Sequence, residues 1–390
     1  MRFSKRLERI PPYLFAEIDR MIEEKRARGV DVISFGIGDP DEPTPDSLVE
    51  SLNTESRRPE NHRYPSYFGL PVFRNAAARW FLERFGVNLD PEREILPLIG
   101  SKEGIAHLAL AVLDPGDIAL VPEPGYPVYG MGTLLADAEP YFLPLVRGNG
   151  FLPDLSSVPE DITRRAKVLW LNYPNNPTGA VAETGFFEEA VGFARENDLL
   201  LAHDNAYSEI TYDGFVAPSL LEVPGGMETG VEFHSLSKTF NMTGWRVGFA
   251  CGNARAIEAL GVVKTNIDSG IFNPIQLAGV RALEDEGAVA TRMTDLYLGR
   301  RDLLVAELSA LGWAVTPPRG GIYLWMQVPA GFDSAGFSKH VLERAGVFFT
   351  PGSAYGPSGE GYVRISLTVP SERINEAVDR LKGVFQQIEP

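Results

Sequence analysis

The chain has 390 residues, 44% of them apolar and 23% charged, and its 52 acids against 36 bases leave a net charge of −16. That length is more than one hydrophobic core usually holds, and the composition is that of an ordinary globular protein. Such a surface repels phosphate backbones and anionic lipid, and no run approaches the roughly 20 apolar residues of a membrane span, so neither nucleic acid nor membrane is an expected partner.

The basic start MRFSKRLERIPPYLF lacks a continuous apolar segment and a small-residue cleavage site, so it does not read as a signal peptide. Residues 13–28 follow as an amphipathic helix closed by Gly29, and residues 31–36, DVISFG, as a short strand. GIGDPDEPTP is too rich in Pro and Gly for regular structure. In LPVFRNAAARWFLERFG the apolar residues Phe73, Ala76, Ala77, Trp80 and Phe81 recur at helical spacing until Gly86.

From about residue 95 the pattern alternates strand and helix. IALVP (118–122), KVLWLNY (167–173), LLLAHD (199–204), VEFHS (231–235) and VGFAC (247–251) are short apolar runs, and FFEEAVGFAREN is an intervening helix. Continuous apolar strands separated by helices predict an α/β fold with a mainly parallel sheet covered on both faces. After about residue 275 a long helical tract leads to GIYLWMQVP, GVFFT and YVRISLT, the pattern of a smaller α+β unit. The expected division is a segment 1–40 packing with the small domain, a large domain 41–275 and a small domain 276–390.

Ligands of open α/β sheets sit beyond the carboxyl ends of the strands. Polar residues gather at those ends: Ser101, Lys102 and Glu103; Tyr126; Asn176; Asp204 and Tyr207; Ser235, Ser237 and Lys238. A lysine freed of its proton forms an imine with an aldehyde. A buried aspartate holds a pyridine nitrogen protonated, and a helix start at Ser101 with Arg246 nearby suits a phosphate. Asn176 and Tyr207 can donate to a phenolate oxygen. Together these parts describe a site for pyridoxal 5'-phosphate, with Lys238 as the imine lysine.

Each residue also has a plainer explanation alone. Asp204 would cap the helix AYSEI, Arg364 in YVRISL would make an edge-strand salt bridge, and NPTG is a common turn. Tyr64 and Tyr126 would be core aromatics, and Tyr13 a packing residue. His203 precedes Asp204 and so points to the opposite face of its strand, as a core histidine. It is the mutual consistency of the set that favours chemistry. The remaining histidines have no metal-ligand spacing, so no metal is expected. The one cysteine, Cys251, permits no intrachain disulfide and fits a reducing cytoplasm.

The motifs NNPTG at 175–179, DNAY at 204–207, SLSKTFNMTGWRVG at 235–248 and RISL at 364–367 resemble the class I and II aminotransferases of fold type I. They fall in family order, and the resemblance runs from GIGDP to the late arginine motif. HRYPSYFGLPVFRNA, LIGSKEGIAHL, PGYPVYGMGT and TPGSAYGPSGEGYVRISLTVP are similar to the branch that transaminates LL-diaminopimelate. The resemblance implies a large domain with a mainly parallel seven-stranded sheet beside the smaller α+β domain. It also implies a homodimer with shared active sites, taking an amino acid and a 2-oxo acid as substrates. By the same resemblance Lys238 is the imine lysine and proton shuttle, Asp204 pairs with the pyridine nitrogen, and Tyr207 and Asn176 contact the ring oxygen. Tyr126 stacks on the ring. Ser101, Lys102, Ser235, Ser237 and Arg246 surround the phosphate, with Tyr64 reaching it from the neighbouring subunit. Arg364 forks onto the substrate carboxylate with the Gly38 backbone, Tyr13 closes the pocket, and Lys102, Asn176 and Tyr126 also border the substrate. Asn205 and Asn273 depart from the branch pattern and touch none of these roles.

Other readings fare worse. Ser235-Leu-Ser-Lys238 matches the S-x-x-K of serine acyl-transferases, but the S-D-N and K-T-G elements are missing. GIGDP lacks the third glycine of a dinucleotide loop, and no phosphate-binding G-x-x-x-x-G-K-[ST] occurs. A regulator of this fold needs a DNA-binding module, for which about thirty residues before DVISF leave no room. Another aminotransferase of the fold, or a lyase, shares the imine machinery.

Overall fold

A computed structural model describes residues 2–10, 14–285 and 287–386. Its central sheet has seven strands: β2 (Ile95–Leu98), β3 (Ile118–Glu123), β4 (Glu139–Pro144), β5 (Ala166–Leu171), β6 (Leu200–Asp204), β7 (Gly230–Ser235) and β8 (Gly248–Gly252). Their order is β2-β8-β7-β6-β5-β3-β4. The pairs from β4 through β7 are all parallel, whereas β8 is antiparallel to both β7 and β2. Six strands therefore end on one side of the sheet, and β8 begins there.

The interior strands β5, β6 and β7 are almost wholly buried, which is why they read as continuous apolar runs. Of the edge strands, β4 lies outside the runs read as strands from the sequence, and β2 is implied there only by the polar residues that follow it. Each carries proline, as ILPL and EPYFLP, and a sheet tolerates proline at an edge because its missing N–H would face no neighbour.

Helices cover both faces. Leu98, Val121, Trp170 and Phe233 pack with Ile105 and Leu108 on one face; Phe249 and Cys251 pack with Phe73 and Phe81 on the other, and Leu169 and Leu201 with Phe187 and Val191. The helix Pro71–Phe85 starts with proline at its first turn and stops at Gly86, whose φ of 71° is the left-handed conformation that closes helices. Among the described residues no helix is long and apolar enough to cross a membrane.

A second, smaller group of strands lies beside the sheet. β11 (Thr350–Pro351), β12 (Tyr362–Ser366) and β9 (Tyr323–Gln327) form an antiparallel sheet with β12 in the middle. β1 (Ile33–Ser34) pairs in parallel with β10 (Val347–Phe348). The helices Ala288–Ala310, Ser334–Ala345 and Ser371–Phe385 pack on them through Tyr297, Phe337 and Leu381. The chain start divides its contacts: Arg6 pairs with Asp137 and Arg9 donates to the Ala138 carbonyl beside the large sheet, whereas Ile33 and Phe35 donate to the carbonyls of Gly346, just before β10, and Phe348.

The glycine-rich stretch before residue 45 has no regular structure, yet it is fastened at both ends. Arg300 grips Asp41 through two bonds of 2.6 and 2.7 Å, and Thr350 donates to the Gly36 carbonyl at 2.8 Å. A loop held this way can present its backbone as a fixed wall.

Candidate active site

Between the strand ends and this wall lies a cavity of about 390 Å³. Gly38, Ser101, Lys102, Tyr126, Asn176, Asp204, Tyr207, Ser235, Ser237, Lys238, Arg246 and Arg364 all border it, so twelve of the fourteen residues singled out from sequence meet in one place. Of the other two, Tyr13 lies outside the described residues, and Tyr64 is 87% exposed and off the cavity wall.

Asp204 ends β6 with its carboxylate buried. Tyr129 donates to its Oδ2 at 2.9 Å, and its Oδ1 has no partner. Burial pushes the acid up to about 6, although the Tyr129 bond and the nearby His203 and His234 act the other way. The aspartate is not a helix cap. Its backbone carbonyl accepts from Asn172 at 2.6 Å, tying β6 to the end of β5.

Asn172 also organises the turn after β5. Its Oδ1 accepts from the Asn176 N–H at 2.8 Å, and Asn175 accepts from Thr178 through both backbone and hydroxyl. NNPTG is thus a turn, as its composition alone would have it, and one that fixes Asn176. Asn176 Oδ1 in turn accepts from Arg364 Nη1 at 2.9 Å.

Arg364 lies on the middle strand of its sheet and is 3% exposed, so it is no edge-strand surface pair. Its Nη2 donates to the Gly36 carbonyl at 2.6 Å, and its guanidinium lies 4.1 Å from the Tyr323 ring centre and 4.9 Å from that of Tyr355. Nε is buried without a partner. A guanidinium pinned on one side, flanked by rings and left with an unused N–H is prepared for a carboxylate.

Lys238 follows β7 on the short helix Leu236–Thr239 and donates from Nζ to the Gly38 carbonyl at 2.6 Å. Burial lowers its affinity for a proton, and Arg364 and Arg246 add to the effect against Tyr323 and Asp39. Its amine is therefore easier to free of its proton than an ordinary lysine's. The backbone at Gly38 comes close because it has no side chain: a Cβ there would lie 2.0 Å from Tyr323 Oη.

A third cluster surrounds the start of the helix Ser101–Val112. Glu103 accepts from the Ile99 N–H at 2.6 Å and fixes the turn into that helix. Arg246 arrives from the β8 side because β8 alone runs backwards, and it adopts a left-handed φ of 57°. Gly100, at φ 76°, makes room for it, since a Cβ there would meet Arg246 Nη2 at 2.3 Å. Ser235 Oγ accepts from the Ser237 N–H at 3.2 Å, and Lys102 Nζ is 6.0 Å from the Tyr126 ring centre. Helix N–H groups, three serines, a lysine and a cationic fork make an anion cradle.

Behind the site, Glu232 is fully buried between His203 and His234, 3.3 and 3.5 Å away, and accepts from Asn205 and Ser219. Burial alone would raise this acid, but its contacts with the two histidines hold it well below the usual carboxylate range. His203 opposes Glu232 in the strand register and contacts the Tyr173 backbone, the position expected of a core histidine. Asn205 thus serves this buried acid rather than the cavity.

Sequence reasoning missed Tyr129, Asn172 and Tyr323. Asn172 stands in the same LNYPNNPTG run as Asn176, and Tyr129 follows Tyr126 by three residues in PGYPVYG, so proximity to motif residues was the available signal.

The residues fit pyridoxal 5'-phosphate. The partnerless Asp204 oxygen calls for a protonated ring nitrogen, the lysine stands on the same cavity wall, and the anion cradle suits the phosphate.

The family model described as aminotransferase class I and II matches residues 30–381. An LL-diaminopimelate aminotransferase of Moorella thermoacetica is 55% identical over 389 residues, covering 100% of both chains. Among solved structures, substrate-bound BacF from Bacillus subtilis superposes with a TM-score of 0.96 at 36% identity, covering 99% of this chain and 98% of that one. A probable N-succinyldiaminopimelate aminotransferase from Thermus thermophilus gives 0.90 at 42% identity, covering 95% and 99%.

Proposed function

The chain belongs to the class I and II aminotransferases, and we propose that it moves an amino group between LL-2,6-diaminopimelate and 2-oxoglutarate with pyridoxal 5'-phosphate as cofactor, working toward diaminopimelate and so toward lysine. The observation that carries the chemistry is the partnerless Oδ1 of Asp204 in the same cavity as the burial-tuned amine of Lys238. The full-length likeness to an LL-diaminopimelate aminotransferase supports the substrate.

Bound there, the cofactor supplies an aldehyde that takes up the amino group and a pyridinium ring that accepts electron density from the substrate's Cα. Asp204 Oδ1 accepts the hydrogen of the ring nitrogen and keeps it in place. Tyr207 and Asn176 donate to the ring oxygen; with Asn176 Oδ1 engaged by Arg364, its amide nitrogen remains as the donor. Tyr126 covers the ring face. Ser101, Lys102, Ser235, Ser237 and Arg246 hold the phosphate. Arg364 Nε and the neighbouring N–H groups bind the α-carboxylate against the Gly38 backbone, which orients the Cα–H. Lys238 Nζ would hold the aldehyde carbon until the substrate's amine displaces it, and the freed amine would then take the Cα hydrogen as a proton and return it to that former aldehyde carbon.

In this reading Lys102, Asn176 and Tyr126 border the substrate, and Tyr13 closes the pocket. The active form is a homodimer. Exposed Tyr64, with Tyr67, Phe68 and Phe272 also exposed, belongs to the face covered by the second copy, whose phosphate Tyr64 reaches. The division at residues 40 and 275 and a cytoplasmic location, consistent with the buried free thiol of Cys251, belong to the same proposal.

The test is a single-turnover panel of amino donors, followed by the absorbance change as the bound cofactor takes up the amino group. LL-diaminopimelate is expected to react fastest. If it reacts no faster than N-succinyl-diaminopimelate, aspartate, alanine or aromatic donors, the substrate assignment fails while the aminotransferase reading stands.

A further inference from the structure

We infer that Tyr323 is a positioning residue of this site, acting through its hydroxyl on Tyr207 and through its ring on Arg364. The inference rests on the reading above, in which Tyr207 donates to the cofactor's ring oxygen.

Tyr207 and Tyr323 are both buried, and their hydroxyl oxygens are 3.2 Å apart. A phenol has one proton to give. If Tyr207 spends its proton on Tyr323, only its lone pairs remain for the cavity, and they repel an anionic oxygen. If Tyr323 donates instead, Tyr207 is free to donate inward. Donation into the Tyr207 oxygen also polarises its own O–H and makes it the stronger donor. The productive order therefore runs from Tyr323 to Tyr207 to the ring oxygen.

The ring of Tyr323 does a second job. The Arg364 guanidinium lies 4.1 Å from its centre, and Asn176 and the Gly36 carbonyl hold two of the guanidinium nitrogens. A flat ring under a flat cation fixes its plane and strengthens as water is excluded. The titratable and charged groups that face the tyrosine pair are Asp204 from β6, Tyr129 from the helix Val128–Leu135, Lys238 beyond β7, Arg364 from β12 and Tyr297 from the helix Ala288–Ala310. The missing Cβ of Gly38 lets the Tyr323 hydroxyl reach this position, and the same glycine's carbonyl accepts from Lys238.

Two substitutions separate the roles: Tyr323→Phe removes only the hydroxyl, and Tyr323→Leu removes hydroxyl and ring. The readouts are the pH midpoint of the bound cofactor's visible absorbance, the split of kcat from KM for the amino donor, and the affinity of the cofactor-free protein for pyridoxal phosphate measured by tryptophan fluorescence. Weaker donation to the ring oxygen disfavours its anionic form, so the midpoint should rise. For Tyr323→Phe the rise should be about half a unit to one unit, the size one hydrogen bond supplies. KM should stay within about twofold while the ring remains, and Tyr323→Leu should add a rise in KM of about tenfold. In a Tyr207→Phe background, Tyr323→Phe should add nothing to the midpoint. A Tyr207→Phe shift with none from Tyr323→Phe overturns the inference alone. No shift from either variant overturns the assigned role of Tyr207 and the inference with it.

Discussion

Tyr129 holds one oxygen of Asp204 at 2.9 Å and leaves the other buried and without a partner. The tyrosine fixes the carboxylate and so determines which oxygen is left for a ligand. The protein carries an electrostatic penalty at that point until something cationic arrives.

The first prediction concerns that penalty. The folded value for Asp204 is about 6 against an ordinary 3.8, so its contribution runs opposite to that of a paired carboxylate. Cofactor-free protein loses stability as pH rises from near 3.8 through 6, and the loss is complete above that range. The difference corresponds to about 3 kcal/mol. Asp204→Asn keeps an acceptor for Tyr129 and removes the charge. Without cofactor it should melt higher than the parent at pH 8 and equally at pH 4. It should also bind pyridoxal phosphate about a hundredfold more weakly. A variant that melts lower at pH 8 contradicts the unpaired carboxylate.

Arg364→Lys tests the fork. Lysine keeps the charge but loses the planar set of donors that Asn176 and the Gly36 carbonyl orient. Steady-state kinetics should show KM for the amino donor raised by about a hundredfold, with kcat falling less. A change in kcat alone would place the carboxylate elsewhere.

Glu232→Gln tests the buried anion behind the site. Removing one member of a buried ionic group costs about 3–5 kcal/mol, which urea unfolding at pH 7 should report. Because the folded acid lies below its ordinary 4.5, the difference is full above that value and shrinks as pH falls below it. A difference that grows in acid would show that His203 and His234 do not hold the charge.

If two copies share their sites, as proposed, complementation tests it. Lys238→Ala lacks the amine, and Tyr64→Ala lacks the contact assigned to the partner's phosphate. Mixed dimers would contain one site with both residues intact. Activity at limiting cofactor should rise on mixing above the sum of the separate variants, and an additive result would place Tyr64 in its own subunit's site or in none.

The sequence disclosed most of what lies along a strand and less of what lies across. Asp204, Asn176 and Lys238 stand just past apolar runs, and the carboxyl edge of a parallel sheet gathers such positions whatever the loops do. Arg246 reaches the same place only because β8 is reversed, and the run VGFAC carries no direction; the chemistry of a guanidinium beside a phosphate, and then the family resemblance, gave its role, not the strand pattern. Tyr129 and Tyr323 reach sideways to other side chains, and Asn172 to the backbone of Asp204 and Asn176. Their partners depend on how helix Val128–Leu135, the β5 turn and β9 pack together, which periodicity does not encode. The edge strand EPYFLP was hidden because it is largely exposed or half-buried and forms no continuous apolar run of the kind that marked the interior strands.

The central claim is that the amine of Lys238 bonds the cofactor's aldehyde carbon. Borohydride reduction of the cofactor-loaded protein, followed by peptide mass mapping, measures this directly. The account predicts one reduced adduct, on the peptide that carries Lys238 and absent from Lys238→Ala. An adduct on another lysine, or a loaded protein that yields none, would contradict it.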